Sequence, residues 1–353
     1  SKNNKPEYAL DARALGSIYA GRINIIVNED GVGVKTQAPM YATKGDVVIS
    51  SRGKVYLKDT QAKGDIKISS AETEIGNKLL AENSVNIQNS KLSNKGQIQA
   101  NNDIAITGNV DSSNLISTNK DITISGNLKN SGNVSSTNLN VKEIENLNKI
   151  VTGEKLSSTK ITNSGEISSG NITTNNLNNK GNVKVVNNIS SQEITNNGKL
   201  LVGNNLNAQN LANTSIIQGK VLNINNKINS SGKILSDSIT TKDISNSGNI
   251  SSKAITTQEL TNSGEIISSS LSSNDVSNSK DIFVNGNLKV VNELNNNGVI
   301  EGLELNTNSI ENTGNITIQN KLVAQKLNNK KNTANVNAGF LDVQNKVISI
   351  GNI

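Results

Sequence analysis

A short phrase recurs sixteen times between residues 75 and 331 of this 353-residue chain. In each copy an aliphatic residue is followed two positions later by Asn, and four positions after that by a second aliphatic residue. Residues 244–250 (Ile-Ser-Asn-Ser-Gly-Asn-Ile) and 260–266 (Leu-Thr-Asn-Ser-Gly-Glu-Ile) are clear copies. The phrase returns about every 17 residues, and so short a period leaves room for one coil of a solenoid and little else.

The spacing of the aliphatic residues predicts three short strands in each coil. Ile244, Ile250, Ile255 and Leu260 complete one circuit in steps of six, five and five residues. These steps do not give the 3.6-residue stripe of a helix, and a repeat rich in Asn, Ser, Thr, Gly and Ile opposes helix formation. β-Branched residues at the inward positions suit strands.

The predicted fold class is all-β, a right-handed parallel β-helix with about 17 residues per coil. A left-handed hexapeptide helix would require regular six-residue steps, so the spacing favours the right-handed form. The polar composition alone is typical of a disordered chain. The regular return of Ile, Leu and Val over some 250 positions predicts an ordered one instead.

The Asn of each phrase predicts an internal ladder. Its carboxamide can donate to the Asn carbonyl of the next coil and satisfy backbone groups of the turn. A following Gly, Asn or Lys would suit a turn with positive φ. A column of Asn that binds a sugar or an ion is the alternative, although a binding site rarely recurs evenly along a whole repeat. The predicted ladder residues are Asn77, Asn94, Asn130, Asn146, Asn163, Asn179, Asn196, Asn213, Asn246, Asn262, Asn278, Asn296, Asn312 and Asn329, with Ser112 and Ser230 in the two remaining turns.

The composition argues against most catalytic chemistry. The chain has no Cys, no His and no Trp, so thiol nucleophiles, disulfides and the commonest metal sites cannot be built. We therefore expect no catalytic, metal-binding or cofactor-binding residues. Asp103 and Asp121 should stack on adjacent coils and could bind Ca²⁺, but their phrases favour turn residues. A carbohydrate-active β-helix enzyme remains a remote alternative, because no Arg follows Arg52 to complete an acid–base site.

The charge and hydropathy patterns indicate neither nucleic-acid binding nor a membrane helix. The 35 Lys and Arg against 29 Asp and Glu give a net charge of +6, and the lysines are scattered through turns. Nucleic-acid binding normally needs a basic stripe with interleaved aromatic residues. The chain has no run of 18 apolar residues, so we expect no membrane span.

Coil length divides the chain into three predicted regions, 1–74, 75–331 and 332–353. All four Tyr, all three Arg, both Pro and the only Met lie within the first 56 residues. The pairs Gly45-Asp46 and Gly64-Asp65 lie 19 residues apart and each opens a strand, which predicts longer and less regular coils there. Residues 75–331 form the regular repeat, and 332–353 are a continuing or terminal coil.

Residues 9–34 read A-L-D-A-R-A-L-G-S-I-Y-A-G-R-I-N-I-I-V-N-E-D-G-V-G-V. This segment resembles one of the filamentous haemagglutinin/haemolysin group of two-partner secretion exoproteins, of the form L-D-A-R-x-L-G-x-[MI]-Y-A-x-[RK]-I-x-[LI]-I-x-x-[ED]-x-G-V-G-V. The resemblance continues loosely to about residue 70. In that group the segment lies where the secretion domain passes into the repeat shaft, so residues 1–74 are expected to hold the end of a secretion-domain-like region and the first irregular coils. The remaining residues resemble the group only in kind, because its repeats are somewhat longer.

The resemblance implies a right-handed β-helical shaft, exported unfolded through an outer-membrane transporter and displayed on the bacterial surface or released. It implies that export requires an N-terminal region missing here, and the opening Ser-Lys-Asn-Asn-Lys predicts a segment of a longer protein. Members act as adhesins, haemagglutinins, cytolysins or stalks of contact-dependent toxins. The leading expectation is the structural shaft of a secreted or surface-exposed adhesin, with a receptor on a host or neighbouring cell that the sequence does not identify. The stalk of a contact-dependent growth inhibition toxin is the alternative.

Overall fold

The computed structural model describes residues 5–13 and 16–353, and throughout this part the chain forms strands, turns and bends without a helix. Residues 1–4 of the predicted first region, and Ala14 and Leu15 of the 9–34 segment, lie outside the described residues. Packing divides the chain into two compact units, of which the first is Ser1–Asn176 with Gly181–Lys184 and the second is Leu177–Lys180 with Val185–Ile353. The regions 1–74, 75–331 and 332–353 remain predictions, since they were defined by coil length and not by packing.

The first unit is a succession of short strands. They are β1 (Tyr8–Ala12), β2 (Ile18–Ala20), β3 (Ile23–Val27), β4 (Gly33–Thr36), β5 (Met40–Ala42), β6 (Val47–Ser51), β7 (Lys54–Ala62), β8 (Ile66–Ser69), β9 (Glu72–Ala81), β10 (Val85–Asn94), β11 (Gln97–Ala100), β12 (Ile104–Ser112), β13 (Leu115–Thr118), β14 (Asp121–Asn130), β15 (Asn133–Asn146), β16 (Lys149–Ser157), β17 (Lys160–Asn163) and β18 (Glu166–Thr173). The next two strands, β19 (Asn176–Asn179) and β20 (Asn182–Val185), have residues in both units.

The second unit has longer strands, because many of its coils run on as one strand that bends at bulges. They are β21 (Ile189–Ser190), β22 (Glu193–Asn196), β23 (Lys199–Asn213), β24 (Ile216–Ser230), β25 (Lys233–Asn246), β26 (Asn249–Thr256), β27 (Glu259–Asn262), β28 (Glu265–Asn278), β29 (Asp281–Asn296), β30 (Val299–Asn312), β31 (Asn315–Asn329) and β32 (Asn335–Ser349). In β28 the register shifts twice against β29, which marks the corners between three straight segments.

One coil of the second unit shows how the sequence fills the interior. Because side chains alternate along a strand, β26 turns Ile250 and Ser252 inward and β27 turns Leu260 and Asn262 inward. Ile255 fills the segment between them, and all five of these side chains are buried. Each straight segment thus contributes an aliphatic residue and, two positions later, often a small polar residue close to a corner.

The coils stack in parallel and in register. Ile250 pairs with Ile266 on the next coil and Leu260 pairs with Val276, so each aliphatic residue covers another aliphatic residue. Full burial of one such side chain stabilises the fold by about 1.5–3 kcal/mol, and the total accumulates along the stack. Near the start of the first unit the offset is larger, as in the pairing of Val47 with Ile66.

The predicted parallel β-helix, with three short strands per coil, a repeat of about 17 residues and an Asn ladder, is confirmed. The longer coils expected near the start are also present, since residues of β6 pair with residues of β8 that lie 19 positions later. The right-handed sense stays a prediction, in line with the strong preference of parallel strand crossovers for that hand.

The expected positive φ after each ladder Asn was wrong. Among the described residues only Gly31 and Gly108 have a positive φ, at 78° and 98°. Gly264, two residues after Asn262, is favoured for another reason: a Cβ placed there would lie 2.0 Å from the carbonyl oxygen of Gly248 on the preceding coil. Close approach of two backbones, and not left-handed geometry, selects glycine at this turn.

Candidate functional site

The Asn ladder satisfies every polar group of its buried amides. The Nδ2 of Asn262 donates to the Oδ1 of Asn278 at 2.9 Å, to the carbonyl of Gly264 at 2.9 Å and to the carbonyl of Asp281 at 3.0 Å. Its Oδ1 accepts from the Nδ2 of Asn246 at 2.8 Å and from the backbone nitrogen of Gly264 at 3.3 Å. Each rung therefore ties its own turn to the coils on both sides.

Within each unit the same bond from amide nitrogen to amide oxygen recurs between successive coils at 2.8–2.9 Å. The first unit holds Asn130, Asn146 and Asn163, and the second holds Asn179, Asn196 and Asn213, followed by Asn246, Asn262, Asn278, Asn296, Asn312 and Asn329. The oxygen and nitrogen of these ladder amides thus form their hydrogen bonds inside the solenoid and are not available to bind a ligand.

Serine takes the ladder position in two coils. Ser112 accepts from the Nδ2 of Asn94 at 3.0 Å, and Ser230 accepts from the Nδ2 of Asn213 at 3.2 Å. Each hydroxyl then donates to a carbonyl of its own turn, which for Ser230 is that of Gly232 at 3.4 Å. The shorter side chain therefore stays in the column but ends a run of amide-to-amide bonds.

Asn77 does not belong to the ladder, and its prediction was wrong. The residue is exposed, and its Nδ2 donates to Asp59 Oδ1 at 2.6 Å. The position beneath Asn94 is Ile75, which pairs with it in the register of β9 and β10 and is fully buried. Because β9 runs on past this corner without the tight turn of the later coils, the Asn of the phrase falls on an outward position.

Small hydroxyl side chains at the other corners were not foreseen. Thr257 Oγ1 donates to the carbonyl of Lys242 on the preceding coil at 2.9 Å and to that of Glu259 on its own coil at 3.1 Å. Ser273 repeats this arrangement one coil later. A Ser or Thr two residues after each aliphatic position could have indicated these columns. In a chain so rich in Ser and Thr that pattern does not stand out.

The two aspartates considered for Ca²⁺ do stack. The backbone nitrogen of Asp121 donates to Asp103 Oδ1 at 3.2 Å. Asp65 and Asp46 repeat this bond at 2.7 Å at a corner of earlier coils. The carboxylates thus accept from turn backbone, as expected for turn residues. Within residues 5–13 and 16–353, no group of three or more His, Cys, Asp or Glu side chains is arranged to hold a metal ion.

A charged cluster lies across three coils of the first unit. Glu74, whose side chain is 16% exposed, forms ion pairs with Lys54 at 2.7 Å and with Lys95 at 2.7 Å. The hydrogen bond from Lys54, followed by that from Lys95, lowers the pKa of Glu74 below its ordinary value. The same carboxylate raises the pKa of Lys54.

This cluster predicts a pH-dependent contribution to stability. A carboxylate with a lowered folded-state pKa stabilises the fold above its unfolded value, about 4.3 for Glu, and the contribution is lost as pH falls through the folded pKa. We expect Glu74→Gln to lower the free energy of unfolding by about 1 kcal/mol at neutral pH and to change little in strong acid. Denaturant titrations at both pH values measure this, with the exposed Glu72→Gln as control. An equal loss at both pH values would contradict the assignment.

A shallow groove of about 590 Å³ crosses one face of the first unit. Its floor takes one outward side chain from each of six stacked strands, and the register sets them side by side. They are Tyr19, Tyr41, Gln61, Leu80, Gln99 and Ser117. The rings of Tyr19 and Tyr41 stack with centroids 4.8 Å apart and planes inclined by 28°. The two rings give this groove an aromatic end.

The chain is similar to segments of several curated proteins. It is 35% identical over 104 residues to a 16S rRNA endonuclease CdiA of Enterobacter cloacae, which is 29% of this chain and 3% of that protein. It is 38% identical over 74 residues to a toxin CdiA of Escherichia coli (21% and 2%). It is 39% identical over 70 residues to a tRNA nuclease CdiA of E. coli strain STEC_O31 (20% and 2%).

These alignments span only 2–3% of the length of the relatives. They confirm the resemblance to two-partner secretion exoproteins of the adhesin and contact-dependent inhibition kind. No family model matches the chain, and no solved structure matches it. No helix among the described residues has the length and apolar character needed to cross a membrane.

Proposed function

We propose that this chain is a non-catalytic stalk segment of a two-partner secretion exoprotein that carries a toxin. The observation that carries the proposal is the uninterrupted ladder from Asn246 to Asn329, in which six consecutive coils are joined by amide bonds of 2.8–2.9 Å. Because the same amide bond joins each of these coils to the next, the stack of coils between Asn246 and Asn329 has a fixed length. It offers no cleft in which reacting groups converge.

The names of the relatives support the toxin part of the proposal. Each is a CdiA protein described as a toxin or a nuclease, and the similar segments cover a small part of each one. We place any such activity outside these 353 residues. The named RNA substrates belong to those proteins, and this chain would serve to hold an active region away from the producing cell.

Export through an outer-membrane transporter and display at the cell surface complete the proposal. The absence of Cys means that no disulfide loop can form in this chain before it crosses a pore. Folding can then follow export coil by coil, because each coil needs only the preceding coil as a template. The similarity to CdiA proteins supports the transporter as the partner.

The proposal is tested in the full-length exoprotein that contains this chain. Removal of residues 250–265, one complete coil by the register of Ile250 with Ile266, should preserve inhibition of target cells. The purified 353-residue chain should cleave neither rRNA nor tRNA and should not inhibit cells. RNA cleavage by the purified chain would overturn the proposal. So would loss of inhibition after the whole-coil deletion, provided that surface display was normal.

Adhesion by the chain itself is the second candidate, and the exposed aromatic groove of the first unit favours it. Beads coated with the purified chain distinguish the two functions. Adherence of these beads to target cells would support an adhesin, and beads that remain unattached would support a stalk.

A further inference from the structure

We propose that the groove of the first unit binds an extended, neutral oligosaccharide of β-1,4-linked hexopyranose rings. The structure places a stacked aromatic pair and two amides without side-chain partners along one row of stacked strands, with an ion pair at the edge of the groove. The proposal is independent of the stalk function, because it concerns one face of the first unit and does not require a toxin.

The aromatic pair provides a platform. Tyr19 is 66% exposed although its ring is large and mostly apolar, and Tyr41 lies half-buried beside it on the next coil. A ring of this kind offers an apolar face and a hydroxyl at its edge. That combination suits the C–H face of a pyranose, whose hydroxyl groups lie around the ring edge. An exposed aromatic residue at the head of a polar groove is a feature of ligand sites.

The amides beyond the aromatic pair are available to a ligand. Among the described residues, the side chains of Gln61 and Gln99 make no hydrogen bond. Elsewhere outward amides on neighbouring coils pair with each other, as Gln325 pairs with Gln344 at 2.5 Å. In the groove Leu80 stands between the two glutamines in the register, so they cannot pair with each other. Each can therefore donate to and accept from sugar hydroxyl groups.

The charge of the groove is balanced. Its lining contains one cation, Lys63, and one anion, Glu82, which form an ion pair on adjacent coils at the rim. A phosphorylated or sulfated ligand would need uncompensated cations. A neutral ligand needs none, so the pair favours a neutral sugar chain over an anionic one.

The dimensions match an extended chain. Six strands separated by about 4.8 Å give a row of roughly 24 Å, and the volume of about 590 Å³ falls within the usual range for ligand sites of about 300–1,000 Å³. The row is continuous because each strand pairs in register with the next. A linear β-1,4-linked chain, with one ring for each strand, can follow it.

The test uses cellohexaose and chitohexaose as probes and a heparin hexasaccharide as the anionic comparison, with the intact chain. Isothermal titration calorimetry measures affinity, and tyrosine fluorescence reports on the groove because the chain has no Trp. We expect binding of at least one neutral hexasaccharide. We expect Tyr41→Ala to weaken it by on the order of tenfold, as for truncation of an aromatic hot-spot residue. Tyr19→Phe should retain it, and Gln99→Ala should weaken it less.

Phe340→Ala is the matched control, because Phe340 is a 59% exposed aromatic residue of β32 in the second unit. Circular dichroism checks that each variant is folded. If Tyr41→Ala unfolds the first unit, Gln61→Ala and Gln99→Ala provide the measurement instead. The proposal is overturned if neither neutral probe binds at millimolar concentration or if the sulfated probe binds as tightly. It is also overturned if every groove variant that folds binds as the unaltered chain does.

Discussion

Deletion of residues 250–265 is expected to leave the chain folded, whereas deletion of residues 250–257 is expected to unfold the coils around the cut. In the first variant Ile266 takes the place of Ile250, with which it pairs. Asn246 would then donate to Asn278 in place of Asn262. In the second variant Gln258 enters the aliphatic position, and burial of its amide without a partner costs about 1–3 kcal/mol at that position alone.

The misplacement also continues beyond the junction, because every side chain of a shifted strand changes face or neighbour. Circular dichroism and thermal unfolding measure both variants. The whole-coil deletion should show one cooperative transition within a few degrees of the unaltered chain. The part-coil deletion should lose a large share of its β signal. Equal behaviour of the two variants would mean that register does not control the fold.

Asn262→Ala is expected to lower the free energy of unfolding by about 1–3 kcal/mol. The substitution removes the bonds that Asn262 donates, takes one of three acceptors from the Nδ2 of Asn246, and leaves the backbone nitrogen of Gly264 without its acceptor. Denaturant titration with a fixed slope measures the loss.

Two controls lie on the preceding coil. Asn249→Ala removes the same side chain from an exposed position, and Ser245→Ala removes a hydroxyl from the residue next to the ladder. Both should change the free energy of unfolding by no more than about 0.5 kcal/mol. A loss at Asn249 equal to that at Asn262 would show that the ladder does not stabilise the solenoid.

The repeat could be predicted because it follows from local chemistry. Ile250, Ile255, Leu260 and Ile266 are inward in the structure, as their spacing indicated, since in a polar chain only the interior requires aliphatic residues at fixed intervals. The ladder was predictable for the same reason. An Asn that recurs beside these positions must lie at the same corner of successive coils.

Features that depend on the length of a particular coil could not be predicted in this way. Asn77 carries the phrase but lies on a coil whose strand continues past the corner. The groove was missed because Tyr19 and Tyr41 stack across an offset of 22 residues, well outside the 17-residue period. Without the pairing of β2 with β5, nothing in the sequence places the two rings side by side.

The serine at position 230 has a mechanical consequence. Its hydroxyl accepts from Asn213 and donates to Gly232, so neither bond crosses to Asn246 on the next coil. A stalk of the proposed kind would bear tensile load, and among the ladder residues of the second unit the boundary after Ser230 is the one that lacks a ladder hydrogen bond. Within the second unit we expect the boundary between the coils of Ser230 and Asn246 to open first under force, while the amide-linked coils on either side stay folded. Single-molecule force spectroscopy measures the force at which these coils separate, and we expect that force to be higher in the Ser230→Asn variant than in the unaltered chain.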